Sequence, residues 1–257
     1  SMSNKNTNDR NLYAHRYELN LGNLVLGMSE TQILYNENKP WLFVPIVPLF
    51  MEKGNFSEDN NNGALAFDAN YRLFNLARVY TEFYIDDFES PISLIRNDNI
   101  EAKWAWMAGT QIGKDFDIYG RKLEAGAIAE YARVEPYVYS HFHPNTAQAA
   151  HLGEPIGNPN GPNSQTIDFA LYGRFAKRFN LNLRNTWLWK GTDYGSAIND
   201  TTPTSGHYKT AKKFLDGAKM QYSLSPAISY DGDYIFYMLE MTLFNDEKIY
   251  TRLGFKW

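Results

Sequence analysis

The sequence contains no cysteine. That removes disulfide frameworks, cysteine-ligated zinc and thiol catalysis together. It also lacks a long apolar run. A membrane helix needs about 20 consecutive apolar residues. The longest stretch here, Trp41 to Met51, is shorter and is broken by Pro45 and Pro48. Helical spans are therefore excluded. A transmembrane barrel is not, because only alternate residues of its strands face lipid. A large excess of one charge sign is missing too. Lys and Arg total 25 against 29 Asp and Glu, a net of −4, which gives no electrostatic case for nucleic acid. There is no charged-then-apolar leader segment, and its absence carries no information about location. The opening Ser1-Met2-Ser3 looks like the scar of a cleaved tag, and 1–11 reads as a flexible, Asn-rich lead.

What is abundant is aromatic. Aromatics reach 16%, with 18 Tyr and 6 Trp. Tyr and Trp gather where rings sit at membrane interfaces, and also where proteins bind sugars. The mean hydropathy of −0.48 is low for a membrane protein. With 44% hydrophobic and 21% charged residues the chain is nonetheless no disordered tail.

The dominant pattern is period-two alternation along the whole length. Leu65, Phe67, Ala69, Tyr71 and Leu73 alternate with Ala66, Asp68, Asn70, Arg72 and Phe74. Leu181, Leu183, Trp187 and Trp189 oppose Asn182, Arg184, Thr186 and Lys190. Runs of this length match the roughly 9–11 residues of a tilted membrane strand. Eleven strands are predicted: 12–21, 24–35, 64–74, 76–86, 101–113, 120–135, 166–178, 181–192, 213–227, 234–245 and 249–257. Short connections (Gly22-Asn23, Phe74-Asn75, Lys114 to Tyr119, Phe179-Asn180, Asp231 to Asp233) alternate with long ones (36–63, 88–100, 136–165, 193–212). The last connection, Asn245 to Lys248, is short where a long one is due. Barrels of the outer membrane have short turns on one side and longer loops on the other. A soluble sandwich has no reason to keep that rhythm.

The prediction is an all-β, antiparallel up-and-down transmembrane β-barrel of the bacterial outer membrane. It has about 11–12 strands in a single domain, 12–257. The final strand places Thr251, Leu253, Phe255 and Trp257 on one face, like the insertion signal of outer-membrane proteins. If Trp257 is periplasmic, loop 136–165 is external and strand 12–21 starts outside. Single-chain bacterial barrels have even strand numbers with both termini inside. Either a strand is hidden within 41–51, or further strands precede Ser1. The second is the favoured expectation.

Several segments carry a family resemblance. Arg133-Val-Glu-Pro-Tyr-Val-Tyr-Ser-His-Phe-His143 leads into Ala149-Ala-His-Leu-Gly-Glu-Pro-Ile-Gly-Asn-Pro-Asn-Gly-Pro-Asn-Ser164. This resembles the His-x-Gly-x-Pro-Leu-Gly-x-x-x-Gly-Pro-x-Ser loop of the Wzi-like capsule-assembly family. Here Leu152 stands between His151 and Gly153, Ile156 replaces Leu, and Gly161-Pro162 is intact. His15-Arg-Tyr-Glu-Leu-Asn20, Gly27-Met-Ser-Glu-Thr31 and Glu82-Phe-Tyr-Ile-Asp-Asp87 are similar as well. The resemblance implies an outer-membrane barrel that helps hold capsular polysaccharide at the cell surface. Family members are longer, with an N-terminal helical region and extra strands that this sequence does not contain. That difference puts barrel closure by this chain in question.

Loop 136–165 is the leading candidate site, since loops of this length are usually functional or disordered. Aromatic faces stack on sugar rings, and amides and imidazoles bond to hydroxyls. The candidate polysaccharide-binding residues are Tyr137, Tyr139, His141, His143, His151, Asn158, Asn160 and Asn163. The competing reading folds the same loop inward as a plug or constriction. The histidines lack an acidic partner with ligand spacing, and Asp86-Asp87 lacks following ligands, so no metal is expected. Ser140 and His141 point to opposite faces if extended, and no Gly-x-Ser-x-Gly elbow exists, so catalysis is not expected. No cofactor is implied.

The polar faces of the strands carry Arg16, Glu18, Asp68, Arg72, Arg78, Glu82, Asp86, Lys122, Glu124, Asp168, Arg174, Arg184, Lys219, Glu240 and Arg252. Of these, Arg72, Arg78, Glu82, Arg174, Arg184 and Glu240 are expected to line the lumen. The balanced signs favour a salt-bridged wall over an ion filter. The functional expectation is a non-catalytic, lectin-like barrel whose partners are capsular or other exopolysaccharide and outer-membrane lipid. A diffusion channel for small polar solutes and a soluble all-β carbohydrate-binding domain stay open beside it.

Overall fold

A computed structural model describes residues 10–35, 38–44, 48–49, 61–87, 102–141, 148–200, 213–233, 235–243 and 248–255. The strands are β1 (Arg10–Leu21), β2 (Leu24–Tyr35), β3 (Asn61–Leu73), β4 (Ala77–Asp87), β5 (Lys103–Ile118) and β6 (Arg121–Val134). They continue with β7 (Ala150–His151), β8 (Glu154–Pro155), β9 (Ser164–Phe175), β10 (Phe179–Lys190), β11 (Lys219–Asp231), β12 (Ile235–Thr242) and β13 (Lys248–Phe255). Eleven of them form one antiparallel up-and-down sheet in chain order, and β7 and β8 make a small separate hairpin. The sheet is open, with β1 and β13 as its edges.

The eleven predicted strands are present, with shifted ends. β5 runs on to Ile118, because Lys114 to Ile118 keeps alternating and stays paired with β6. The turn shrinks to Tyr119-Gly120, both at positive φ (52° and 73°), the geometry that matches strand twist in two-residue hairpins. Between β9 and β10 the turn falls at Ala176 to Arg178 and not at Phe179-Asn180. β11 starts at Lys219, since 213–218 is not strand. Where a hidden strand was sought, Pro40–Phe43 is one 3₁₀ turn. Trp257 lies outside the described residues.

Register sorts every strand into two faces. The ladders Gly27↔Asp68↔Glu82 and Gly109↔Glu130↔Asp168↔Thr186 put the charged residues together. All fifteen polar-face residues named above share this face. Side chains on it reach across an intervening strand. Arg16 of β1 holds Asp68 of β3 at 2.7 and 3.0 Å. The Tyr80 hydroxyl of β4 donates to Glu130 of β6 at 2.8 Å. Glycines make room for such reaches. A Cβ on Gly109 would lie 2.5 Å from the Tyr80 ring, and one on Gly126 2.3 Å from the Tyr172 hydroxyl.

The opposite face is apolar and open. Leu26, Val79, Ile112, Leu171, Leu181 and Ile228 are all exposed on it. Rings border this band at both ends. Toward the long loops, Phe83–Trp104, Trp106–Tyr131 and Trp187–Tyr222 have centroids 5.7, 5.6 and 5.4 Å apart. Toward the short turns, Phe179 and Tyr230 meet at 4.9 Å, and Tyr71, Tyr237 and Phe255 are exposed. One corner departs from this pattern. Tyr13, Leu34, Leu42 and Leu49 form a small core where 38–44 and Leu49 lie over the apolar face of β1 and β2. Beneath it, His15 is buried with Nδ1 3.1 Å from Glu30 and Nε2 donating to Leu42 O at 2.6 Å.

Candidate functional site

The long connection between β6 and β9 folds inward. Val138, Tyr139 and Ala149 form a core with Ile33, Ala105 and Val134, and Tyr84 packs against it. By register, Ile33, Tyr84, Ala105 and Val134 lie on the polar face at its loop end. The loop therefore caps that end of the concavity from β2 to β6.

The backbone explains the inward turn. Pro136 is followed by Tyr137 and Tyr139 in the left-handed region, at φ 65° and 70°. The segment is a turn, so the alternation of an extended strand does not apply to it. Tyr139 N donates to Asp86 Oδ2 at 2.9 Å, the carboxylate of a bulge in β4. The Tyr139 hydroxyl accepts from Asn158 N at 3.0 Å, and Gly157 leaves space for its ring. Tyr137 N donates to Gly195 O at 3.0 Å, and its ring packs edge-on to Tyr194 at 5.9 Å. Burial pushes both tyrosines up to about 12. At Tyr137, neighbouring Tyr194, Asp200 and Asp193 add to the rise. At Tyr139 the bond from Asn158 opposes burial, and Asp86 and Glu82 add to it.

Asn163 joins three loops. It is fully buried, with φ 54°. Its Nδ2 donates to Ser196 Oγ at 2.8 Å, and its Oδ1 accepts from Leu215 N at 2.7 Å. Its own N–H donates to Glu135 O at 3.1 Å, and its carbonyl accepts from Gly191 N at 2.8 Å. Lys190 donates from Nζ to Asn160 O at 2.8 Å and to Pro162 O. Asp200 accepts from Gly195 N and Ala197 N, which shapes the second loop.

The eight candidate loop residues thus separate. Tyr137, Tyr139, His141 and Asn163 are buried within the folded loops. His143 lies outside the described residues. Asn158 and Asn160 are half-buried. Asn158 Oδ1 accepts from Asn160 N at 2.9 Å, and Asn160 Nδ2 donates to Thr166 Oγ1 at 3.0 Å. His151 stands exposed on the β7–β8 hairpin. The Ser140 hydroxyl donates to Tyr137 O at 2.5 Å. Tyr194, exposed beside Tyr137, was not anticipated, because only the tertiary docking of 191–200 onto 136–140 brings it there.

On the polar face, Arg184 holds Asp168 at 2.9 Å, and Thr186 donates to the same oxygen. Glu240 and Arg184 line one polar trough of about 460 Å³ with Asn180, Asn182 and Ser225. Arg174 donates to Lys177 O at 3.1 Å. Glu82 lies opposite Asp68, and Arg72 opposite Arg78. Among the described residues, no cluster of three or more His, Asp or Glu fits a metal ion.

Fold and register define an all-β, up-and-down antiparallel sheet of the barrel class. The fold is Wzi-like. Among solved structures the chain matches Wzi of Escherichia coli, an outer-membrane protein involved in group 1 capsule assembly and described as a carbohydrate-binding β-barrel. The match has a TM-score of 0.58 at 14% identity over 93% of this chain. It covers 49% of Wzi, so the chain spans about half the length of that protein. No protein-family model and no curated protein matches the sequence.

Proposed function

We propose that this chain is a non-catalytic part of an outer-membrane barrel that binds capsular or other surface polysaccharide at its loop end. The observation that carries the reading is the loop cap. It is rigidly bonded, it seats on the polar face, and it presents His151 and the Tyr194 ring outward. An exposed ring and an exposed imidazole on the bonded loops suit sugar, whose ring faces are apolar and whose edge is hydroxyl. The likeness to Wzi supports the same reading at the level of fold.

Membrane insertion is supported by the exposed apolar band between two rows of rings. A water-soluble protein rarely exposes so extensive a contiguous apolar surface. The loop cap speaks against an open diffusion channel. Ser140, whose hydroxyl is turned onto Tyr137 O, is not poised as a nucleophile for the neighbouring His141.

The test is binding of surface polysaccharide to the chain folded in detergent or liposomes. His151→Ala with Tyr194→Ala is expected to weaken binding at least tenfold while far-UV circular dichroism stays unchanged. Undiminished binding by the double variant, or monodisperse folding in plain buffer, defeats the proposal.

A further inference from the structure

The arginines of this sheet are not treated alike. Arg16 closes on Asp68, Arg184 on Asp168, Arg133 on Glu135 and Arg178 on Asp233. Arg72 and Arg78 do not close on a carboxylate among the described residues. They stand directly opposite each other on β3 and β4, on the polar face, next to the short turn at Phe74. Both are exposed. Like charges directly opposite across a ladder repel. Neutral residues would fill these two positions without that repulsion.

The surroundings are those of a site. Arg72 and Arg78 line a hollow of about 200 Å³ with Asn75, Gln111 and Tyr172. Gln111 sits opposite Arg78, and its Nε2 donates to the Tyr172 hydroxyl at 3.2 Å, which fixes both side chains. Arg78 lies 4.9 Å over the Tyr80 ring, which holds the guanidinium without neutralising it. The chemistry is therefore two guanidinium forks with amides and a phenol at one end of the polar face.

We infer that the turn end of the polar face is an oxyanion site in which Arg72 and Arg78 clamp the carboxylate of an acidic sugar unit. Planar forks match a carboxylate bidentately. Gln111, Asn75 and Tyr172 are placed to meet the hydroxyls that a sugar has and an inorganic anion lacks. The carbohydrate reading above supplies only the choice of sugar; the anion site stands on the arginine pair.

The experiment is calorimetric titration of the full chain, folded in detergent, with digalacturonate, neutral galactobiose and inorganic phosphate. Digalacturonate is expected to bind in a salt-sensitive way and more tightly than the other two. Arg72→Gln with Arg78→Gln is expected to cut that affinity by about 10–100-fold, the size of lost charge-assisted hydrogen bonds. Without ligand the double variant should melt no lower than the parent, because a repulsion has been removed. Undiminished binding by the double variant, or its melting clearly lower, overturns the site. Phosphate binding as tight as digalacturonate overturns the sugar assignment. His151→Ala with Tyr194→Ala should leave digalacturonate binding here untouched. Undiminished polysaccharide binding by that variant, with digalacturonate binding intact, therefore counts against the loop-end proposal alone.

Discussion

Replacing Asn163 by alanine tests whether the loop cap is one bonded unit. The change removes the bond to Ser196 Oγ and leaves the half-buried Leu215 N–H without its acceptor. A buried group left without its partner costs about 1–3 kcal/mol. Alanine at φ 54° adds about 1 kcal/mol, because its Cβ crowds the left-handed backbone. The expected loss is about 3 kcal/mol, or roughly a hundredfold in the opening equilibrium of the loops. Hydrogen exchange on the folded chain reads this directly. The reporter is the Gly191 amide, which donates to the backbone carbonyl of Asn163 and loses no atom of its own bond. It should exchange about a hundredfold faster, while amides in the middle of β5 and β6 stay protected. Asn163→Asp keeps the acceptor for Leu215 N and should fall between parent and alanine. Unchanged Gly191 exchange together with lost polysaccharide binding would refute the reasoning. Asn163 would then face the ligand and not the loops.

Gly109→Ala is expected to cost about 1–3 kcal/mol in chemical unfolding from detergent, since the new methyl runs into the Tyr80 ring. Pairing it with Tyr80→Ala should give a coupling energy above about 0.5 kcal/mol, the signature of a removed clash. Lys190→Met leaves the Asn160 and Pro162 carbonyls without their cation, and faster proteolysis within 151–163 is the expected result. The tyrosines of the cap give a pH prediction. Burial raises their folded values to about 12 from the ordinary phenol value of about 10, so folding favours the neutral phenol. That stabilisation is complete below pH 10 and is lost as pH rises through 12. Tyrosinate absorbance should show Tyr137 and Tyr139 ionising late, together with loosening of the loops. Normal ionisation near 10 in both sinks the packing described for them.

The sheet was legible because each strand has one face toward charge and one toward open apolar surface. That environment writes a period of two into the residues themselves, as in Tyr71-Arg72-Leu73 and Leu183-Arg184. Strand ends were less legible. Lys114-Asp115-Phe116-Asp117 reads as a polar turn, yet it continues β5 because the ladder to Lys122 and Glu124 still pairs. The inward fold of the loop was one of two readings left open, and which of its side chains that fold buries was not legible. Tyr137 and Tyr139 look like neighbours on one face. Their left-handed φ turns them into the cap. Nothing local marks Tyr194 as a surface partner, because its position depends on Gly195 meeting Tyr137 some 58 residues away (195 against 137).

The glycine seats have a consequence for how the wall holds its alignment. Tyr80 lies over Gly109 and Tyr172 over Gly126, each ring on a strand other than its seat. A slip by two residues would keep every charge on its own face, so polarity alone does not forbid it. It would, however, drive each ring onto a side chain. The same fit recurs above the sheet, where Tyr139 rests on Gly157 and Tyr137 on Gly195. Tyrosine and glycine thus act here as key and notch: the pleat decides which way a residue faces, and the notches decide how far each strand has slid.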